Sequence, residues 1–185
     1  ATHDDLLYAQ AMAMLDVQEW AKLEHNRTDP RDPAGDARRS YRFRNVLSMR
    51  MTHAPLNTDW YWDYLRIGEQ VFVMRHREGV EGEWTCTSRD EWTLLWPEYV
   101  ARLRQRFPAY GWRVESRGDG ADPDTWQLRS TGYDGARYVA RIHVPSKAPV
   151  VLSRVGPTAE IDVYKPYDFG VPDDGLKRPR PVPCR

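Results

Sequence analysis

Trp60-Tyr61-Trp62-Asp63-Tyr64-Leu65-Arg66-Ile67-Gly68-Glu69-Gln70-Val71-Phe72-Val73-Met74-Arg75-His76-Arg77 is the stretch that decides the fold class. Asp59 to Ile67 is aromatic and alternates with period two until Gly68-Glu69, a turn pair that sends the chain back through Gln70 to Arg77. Alternation on both sides of a short turn specifies an antiparallel hairpin. Trp60, Trp62 and Tyr64 cannot share a face with Tyr61, so the first strand carries bulky aromatics on both sides. One side must meet something other than the main core: a ligand cavity, a second helix or a partner protein.

The same period holds on either side of this hairpin. From Ser40, Tyr41, Phe43, Leu47, Met49 and Met51 fall on one face and Arg42, Arg44, Ser48 and Arg50 on the other, which predicts one long strand with a wet face. Glu78 to Gly82 turns the chain into a further strand, Glu83 to Thr87. Short β-branched or aromatic runs bounded by Gly, Pro or Asp predict five more, at Trp112 to Arg117, Thr125 to Ser130, Arg137 to Val144, Val150 to Val155 and Glu160 to Tyr164.

Two segments have helical spacing instead. Leu6, Leu7, Ala11, Met14 and Leu15 predict an N-terminal helix from Asp4 to about Leu15, with Thr2 or Asp4 as cap. Leu95, Tyr99, Leu103 and Phe107 recur every fourth residue, and Pro97 and Pro108 suit the first turn and the stop of a helix over 97–107. Val17 to His25 permits either a helical continuation or a strand, and Asn26 to Arg39, with Pro30, Pro33 and Gly35, is expected to be a loop. The chain is read as one domain over residues 1–170, followed by a proline-rich extended tail over 171–185.

Twenty-seven basic residues cancel twenty-seven acidic ones in the 185-residue chain, so no overall field would recruit nucleic acid or an anionic membrane. No run approaches the roughly 18 apolar residues of a membrane-spanning helix. Arg is distributed along the polar faces of aromatic strands, where guanidinium groups can lie on Trp and Tyr rings. Neutrality is therefore expected to be local as well as global, without a basic patch.

Side-chain chemistry is sparse. His3, His25, His53, His76 and His143 lack metal-ligand spacing, and no metal or cofactor site is predicted. Neither a nucleophile elbow nor a phosphate-binding loop is present. Asp63 and Glu83, beside the aromatic strands, are the candidate acid and base of an alternative reading as an enzyme or cyclase. Their plain reading is charge balance with neighbouring Arg. Cys86 and Cys184 either form a disulfide, which would close a loop worth about 4 to 5 kcal/mol in the chain-entropy model, or remain free thiols in a strand and a tail.

The order of elements resembles the LolA-like fold of bacterial envelope proteins, including the lipoproteins of the LppX and LprG type. The resemblance is carried by the N-terminal helix, by Ser40 to Arg50 (SYRFRNVLSMR), by Asp63 to Val73 (DYLRIGEQVFV) followed by Trp84, and by Val163 to Pro172 (VYKPYDFGVP) after the short strands. It implies a strongly curved antiparallel sheet, an incomplete β-barrel, covered by the two helices. It also implies an exported, non-catalytic protein of the cell envelope whose partner is a lipid, another hydrophobic small molecule or an envelope protein. The expected lining is Phe43, Leu47, Met49, Leu65, Val71, Val73 and Ile142 from strands and Tyr99, Leu103 and Phe107 from the helix, each of which also has a plain core reading. A filled core would make the protein a structural or interaction domain instead.

Overall fold

The computed structural model describes residues 2–77, 80, 82–87, 92–118, 120–177 and 179. Helix α1 (His3–Asp16) begins at Thr2, whose hydroxyl accepts from the Asp5 amide while the Asp5 carboxylate accepts from the Thr2 amide. This reciprocal cap satisfies two of the amides that a helix start leaves unpaired. The carboxylates of the same turn also tie the helix to the sheet: Asp5 accepts from the Trp112 amide at 2.8 Å and Asp4 from the Val114 amide at 3.0 Å.

The undecided segment after α1 is a strand, β1 (Trp20–Thr28), followed by β2 (Ala37–Arg44), β3 (Ser48–Pro55), β4 (Trp60–Ile67), β5 (Gln70–Arg77) and β6 (Thr85–Thr87). Helix α2 (Trp96–Arg106) then leads into β7 (Arg113–Ser116), β8 (Thr125–Thr131), β9 (Arg137–His143), β10 (Ala148–Val155) and β11 (Ile161–Tyr167). All eleven strands form one antiparallel sheet in the order β6-β5-β4-β3-β2-β1-β11-β10-β9-β8-β7. Two meanders, one on each side of α2 in the chain, are thus joined where the first and last strands pair, with Leu23 opposite Pro166 and His25 opposite Tyr164. The sheet does not close on itself, and the fold is a curved α+β half-barrel as expected. Its edge strands, β6 and β7, have three and four residues, and such short edges offer little template for pairing with another chain.

One expectation is corrected. Ser40 to Met51 is not a single strand but parts of β2 and β3, which turn at Asn45-Val46-Leu47. Asn45 has φ 40°, a left-handed conformation that Asn tolerates better than most residues. The turn also carries the amide of Leu47 to the Arg44 carbonyl at 2.9 Å. Phe43 pairs with Met49 and Tyr41 with Met51, so odd-numbered residues keep one face across the turn and the alternation is the same as in an unbroken strand. The loop expected over Asn26 to Arg39 shortens to residues 29–36, its two ends being absorbed into β1 and β2.

Both helices cover one face of the sheet. α1 lies against β7, β9, β10 and α2, and the indole Nε1 of Trp96 donates to the Leu15 carbonyl at 2.7 Å, locking the start of α2 to the end of α1. Phe43 and Met49 from strands meet Trp96, Tyr99 and Leu103 from α2 in the main core, where the Phe43 ring lies 4.9 Å from Trp96 and 5.4 Å from Tyr99.

The other face is buried in part by the C-terminal segment. Leu65, opposite Arg50 in β3 and Phe72 in β5, points to this outer face. Arg50 holds Asp63 bidentately along one guanidinium edge, from Nε at 2.9 Å and Nη2 at 2.6 Å, and donates from Nη1 to the Gly175 carbonyl at 3.0 Å. Asp173 adds an ion pair with Arg42 at 3.5 Å, and the turn Asp174–Leu176 packs on β2 and β3. Residues past 170 therefore contribute contacts to the sheet. Cys86 lies in β6 opposite Phe72 and is not a free thiol. Its expected partner, Cys184, lies outside the described residues.

Candidate functional site

Between α2 and the inner face of the sheet the packing leaves a cavity of about 400 Å³, within the size range of small-molecule sites. β1 supplies His25 and Arg27 to it, β2 supplies Arg39 and Tyr41, and β11 supplies Tyr164. α2 contributes Tyr99, Arg102, Leu103 and Arg106, and the segment before it Trp92 and Leu94. The strand residues continue the register of the apolar inner face: Ala21, Leu23, His25 and Arg27 in β1 pair with Phe43, Tyr41, Arg39 and Ala37 in β2. The inner face is apolar at one end of these strands and becomes cationic at the other.

A second cavity of about 380 Å³ adjoins the first and includes Met51, His53, Trp62 and Tyr64. The two share Arg39 and Trp92. The Arg39 guanidinium stands 4.6 Å from the centroid of the Trp92 ring and its Nε donates to His53 Nδ1 at 3.0 Å. One stacked pair of side chains divides the two spaces.

Two of the lining residues, His25 and Arg27, engage the buried carboxylate of Asp162. His25 Nε2 is 2.8 Å from Asp162 Oδ1, and Arg27 Nη1 donates to Asp162 Oδ2 at 2.7 Å. Burial lowers the pKa of His25 below its ordinary value despite the opposing hydrogen bond, so the imidazole is neutral and donates its Nε2 proton. Burial works against ionised Asp162, but His25 and Arg27 outweigh it and the pKa of the carboxyl is lowered. The imidazole also stacks on Tyr164 with centroids 4.1 Å apart. Burial pushes Tyr164 up to about 12 and raises Tyr41 and Tyr99 as well, leaving three neutral phenols around the cavity.

Only Arg27, of the four lining arginines, meets a carboxylate there. Arg39 is held by His53 and Trp92, and Arg106 donates to the Tyr164 hydroxyl. Among the described residues neither of these, nor Arg102, has a carboxylate at ion-pair distance. The expectation of local neutrality is therefore corrected: the curvature of the sheet and the placement of α2 gather, around one cavity, arginines that are far apart in the chain.

Of the residues expected to line a cavity, Tyr99 and Leu103 do so. Phe43, Met49, Phe107 and Ile142 belong to the closed core. Val71 is fully buried opposite Arg66, and Val73 is half-buried opposite Tyr64 beside the second cavity. Leu65 points to the outer face, and Leu47 is exposed in the β2–β3 turn. Asp63, the candidate acid or base, also faces outward and is engaged by Arg50. The lining residues missed by sequence reasoning are mainly His25, Arg27, Arg39, Arg102, Arg106 and Tyr164. Their signal was available in β1 and β2 as polar side chains at positions where the apolar register continues.

No protein-family model matches the chain, and no curated protein matches it in sequence. Solved structures do match. LprF from Mycobacterium bovis aligns with 99% of this chain and 99% of its own at 10% identity and a TM-score of 0.67. The lipoprotein LppX of Mycobacterium tuberculosis aligns over 92% of this chain and 96% of its own at 10% identity and a TM-score of 0.60. The likeness to these two establishes a shared fold.

Proposed function

We propose that this protein is a non-catalytic carrier or binding protein for a hydrophobic ligand, a lipid, an acyl chain or a lipidated partner, and that it works outside the cytoplasm in the bacterial cell envelope. The observation that carries the reading is the cavity left between α2 and the sheet. Its lining includes Leu94, Tyr99, Leu103 and Tyr164, and a second space rich in aromatic side chains adjoins it behind Arg39 and Trp92. A solidly filled core, as expected of a purely structural domain, would leave neither space. The shared fold with a protein described as a lipoprotein supports the same reading.

The outward position of Asp63 and its pairing with Arg50 give the acid–base alternative no support at that residue. Native mass spectrometry after gentle purification is the direct test, with titration of a fluorescent fatty-acid probe beside it. The expected result is a co-purifying lipid mass or saturable probe binding. A protein that stays at its bare mass and leaves the probe unchanged overturns the carrier reading.

A further inference from the structure

We infer that the cavity under α2 selects amphiphiles with an anionic headgroup, the negative group lying among Arg39, Arg102 and Arg106 and the apolar part against Leu94, Tyr99 and Leu103. The inference rests on the carrier reading and specifies its ligand class. Three guanidinium groups border one space of about 400 Å³ without a carboxylate partner among the described residues. The protein as a whole is neutral, and several arginines away from the cavity are held by carboxylates: Arg50 by Asp63, Arg154 by Asp134 and Glu160, Arg104 by Asp16.

The α2 arginines show the division most directly. Arg102 and Arg106 are one helical turn apart and share a face, the one that lines the cavity. Arg104, between them in sequence, turns to α1, where Asp16 and the Met12 carbonyl engage it. Arg39 is oriented before any ligand arrives, because His53 fixes its Nε and Trp92 its plane. Burial and Arg39 itself lower the pKa of His53 and keep it neutral, and burial raises that of the Tyr164 hydroxyl bonded to Arg106 and keeps it neutral too. Asp162, the carboxylate beside His25, is taken by His25 and Arg27. Like charges around a partly desolvated space repel, and an anion relieves that repulsion while gaining charge-assisted hydrogen bonds. A planar guanidinium matches the oxygen pairs of phosphate and carboxylate alike, so both headgroups fit. A free inorganic anion would leave the apolar part of the lining unused.

The test compares palmitate, 1-palmitoyl lysophosphatidate, monopalmitoylglycerol and inorganic phosphate as competitors of a fluorescent fatty-acid probe, at constant ionic strength and below micelle-forming concentrations. The two anionic amphiphiles are expected to compete at least about tenfold more tightly than monopalmitoylglycerol, the scale of one hydrogen bond to a charged group. Phosphate alone should compete far more weakly than either. Arg102→Gln, at an exposed position, and Arg39→Gln should each reduce the anionic-to-neutral affinity ratio. Equal affinity for anionic and neutral amphiphiles, or a ratio unmoved by both substitutions, overturns this inference and leaves the carrier reading standing. Failure of every amphiphile to bind overturns the carrier reading itself. Phosphate competing as tightly as the amphiphiles makes this a plain anion site, which overturns both.

Discussion

Asp162 is 1% exposed and His25 4%, and a carboxylate so placed is tolerated only because both its oxygens are engaged. Asp162→Asn removes the charge that Arg27 and His25 face. It should cost about 3 kcal/mol, as for a buried pair broken on one side, measured by urea unfolding at pH 7.5; a loss below about 1 kcal/mol would contradict the geometry. The same residues set an acid sensitivity. His25 and Asp162 both have lowered pKa values in the folded protein, so the unfolded chain takes up protons more readily. Stability from His25 is fully present above its unfolded value, 6.5, and is lost as pH falls below it; that from Asp162 follows only below about 3.8. The Tm should therefore drop as pH falls from 7.5 to 5, and His25→Gln should flatten that slope whatever its effect on the Tm at pH 7.5. An equal slope in the variant would assign the acid sensitivity to other groups.

At the scale of elements, the helices and hairpins show what a single chain reveals. α2 was readable to within one residue because Leu95, Tyr99, Leu103 and Phe107 have a spacing no strand shares, with Pro97 and Pro108 near its limits. The β4–β5 hairpin was equally plain from Gly68, whose φ of 59° suits glycine. The β2–β3 turn was hidden, since its length preserves the alternation and it contains neither Gly nor Pro. What joins the elements was also invisible: the hydrogen bond from Trp96 to the Leu15 carbonyl spans 81 positions. Trp96→Phe keeps an aromatic ring in that buried position but removes the indole donor, leaving the Leu15 carbonyl to the Gln18 amide. The expected loss is about 1 kcal/mol by chemical denaturation, the scale of one hydrogen bond, and an unchanged stability would show that the indole N–H does not couple the helices.

For the molecule as a whole, the half-barrel was legible from the hairpin pattern, whereas the site was not. Apolar residues of the strands and of α2 were the natural candidates for a lining; Tyr99 and Leu103 border the cavity, whereas Phe43, Met49, Phe107 and Ile142 lie in the core. The cavity lies where the inner-face register turns polar, at His25, Arg27 and Arg39, and which arginines converge there depends on a β1–β11 pairing that no local pattern encodes. The cavity exists only in the folded state, so its ligand must stabilise that state by mass action. An amphiphile at about one hundred times its Kd should add about 2.7 kcal/mol, read as a higher urea midpoint. Binding without any such shift would place the ligand on unfolded or surface-exposed chain.

The junction of the two meanders also sets the order in which the protein can be completed. β1 occupies residues 20–28, yet one of its two neighbours, β11, begins at Ile161. A chain emerging from the ribosome has β1 open along one edge until residues 161–167 have been made. The last strand to appear is the keystone, and closing so long a loop is slow in an antiparallel protein. Until then the His25 side chain has no Asp162 to meet, so this part of the cavity lining is assembled in the same event that joins the halves.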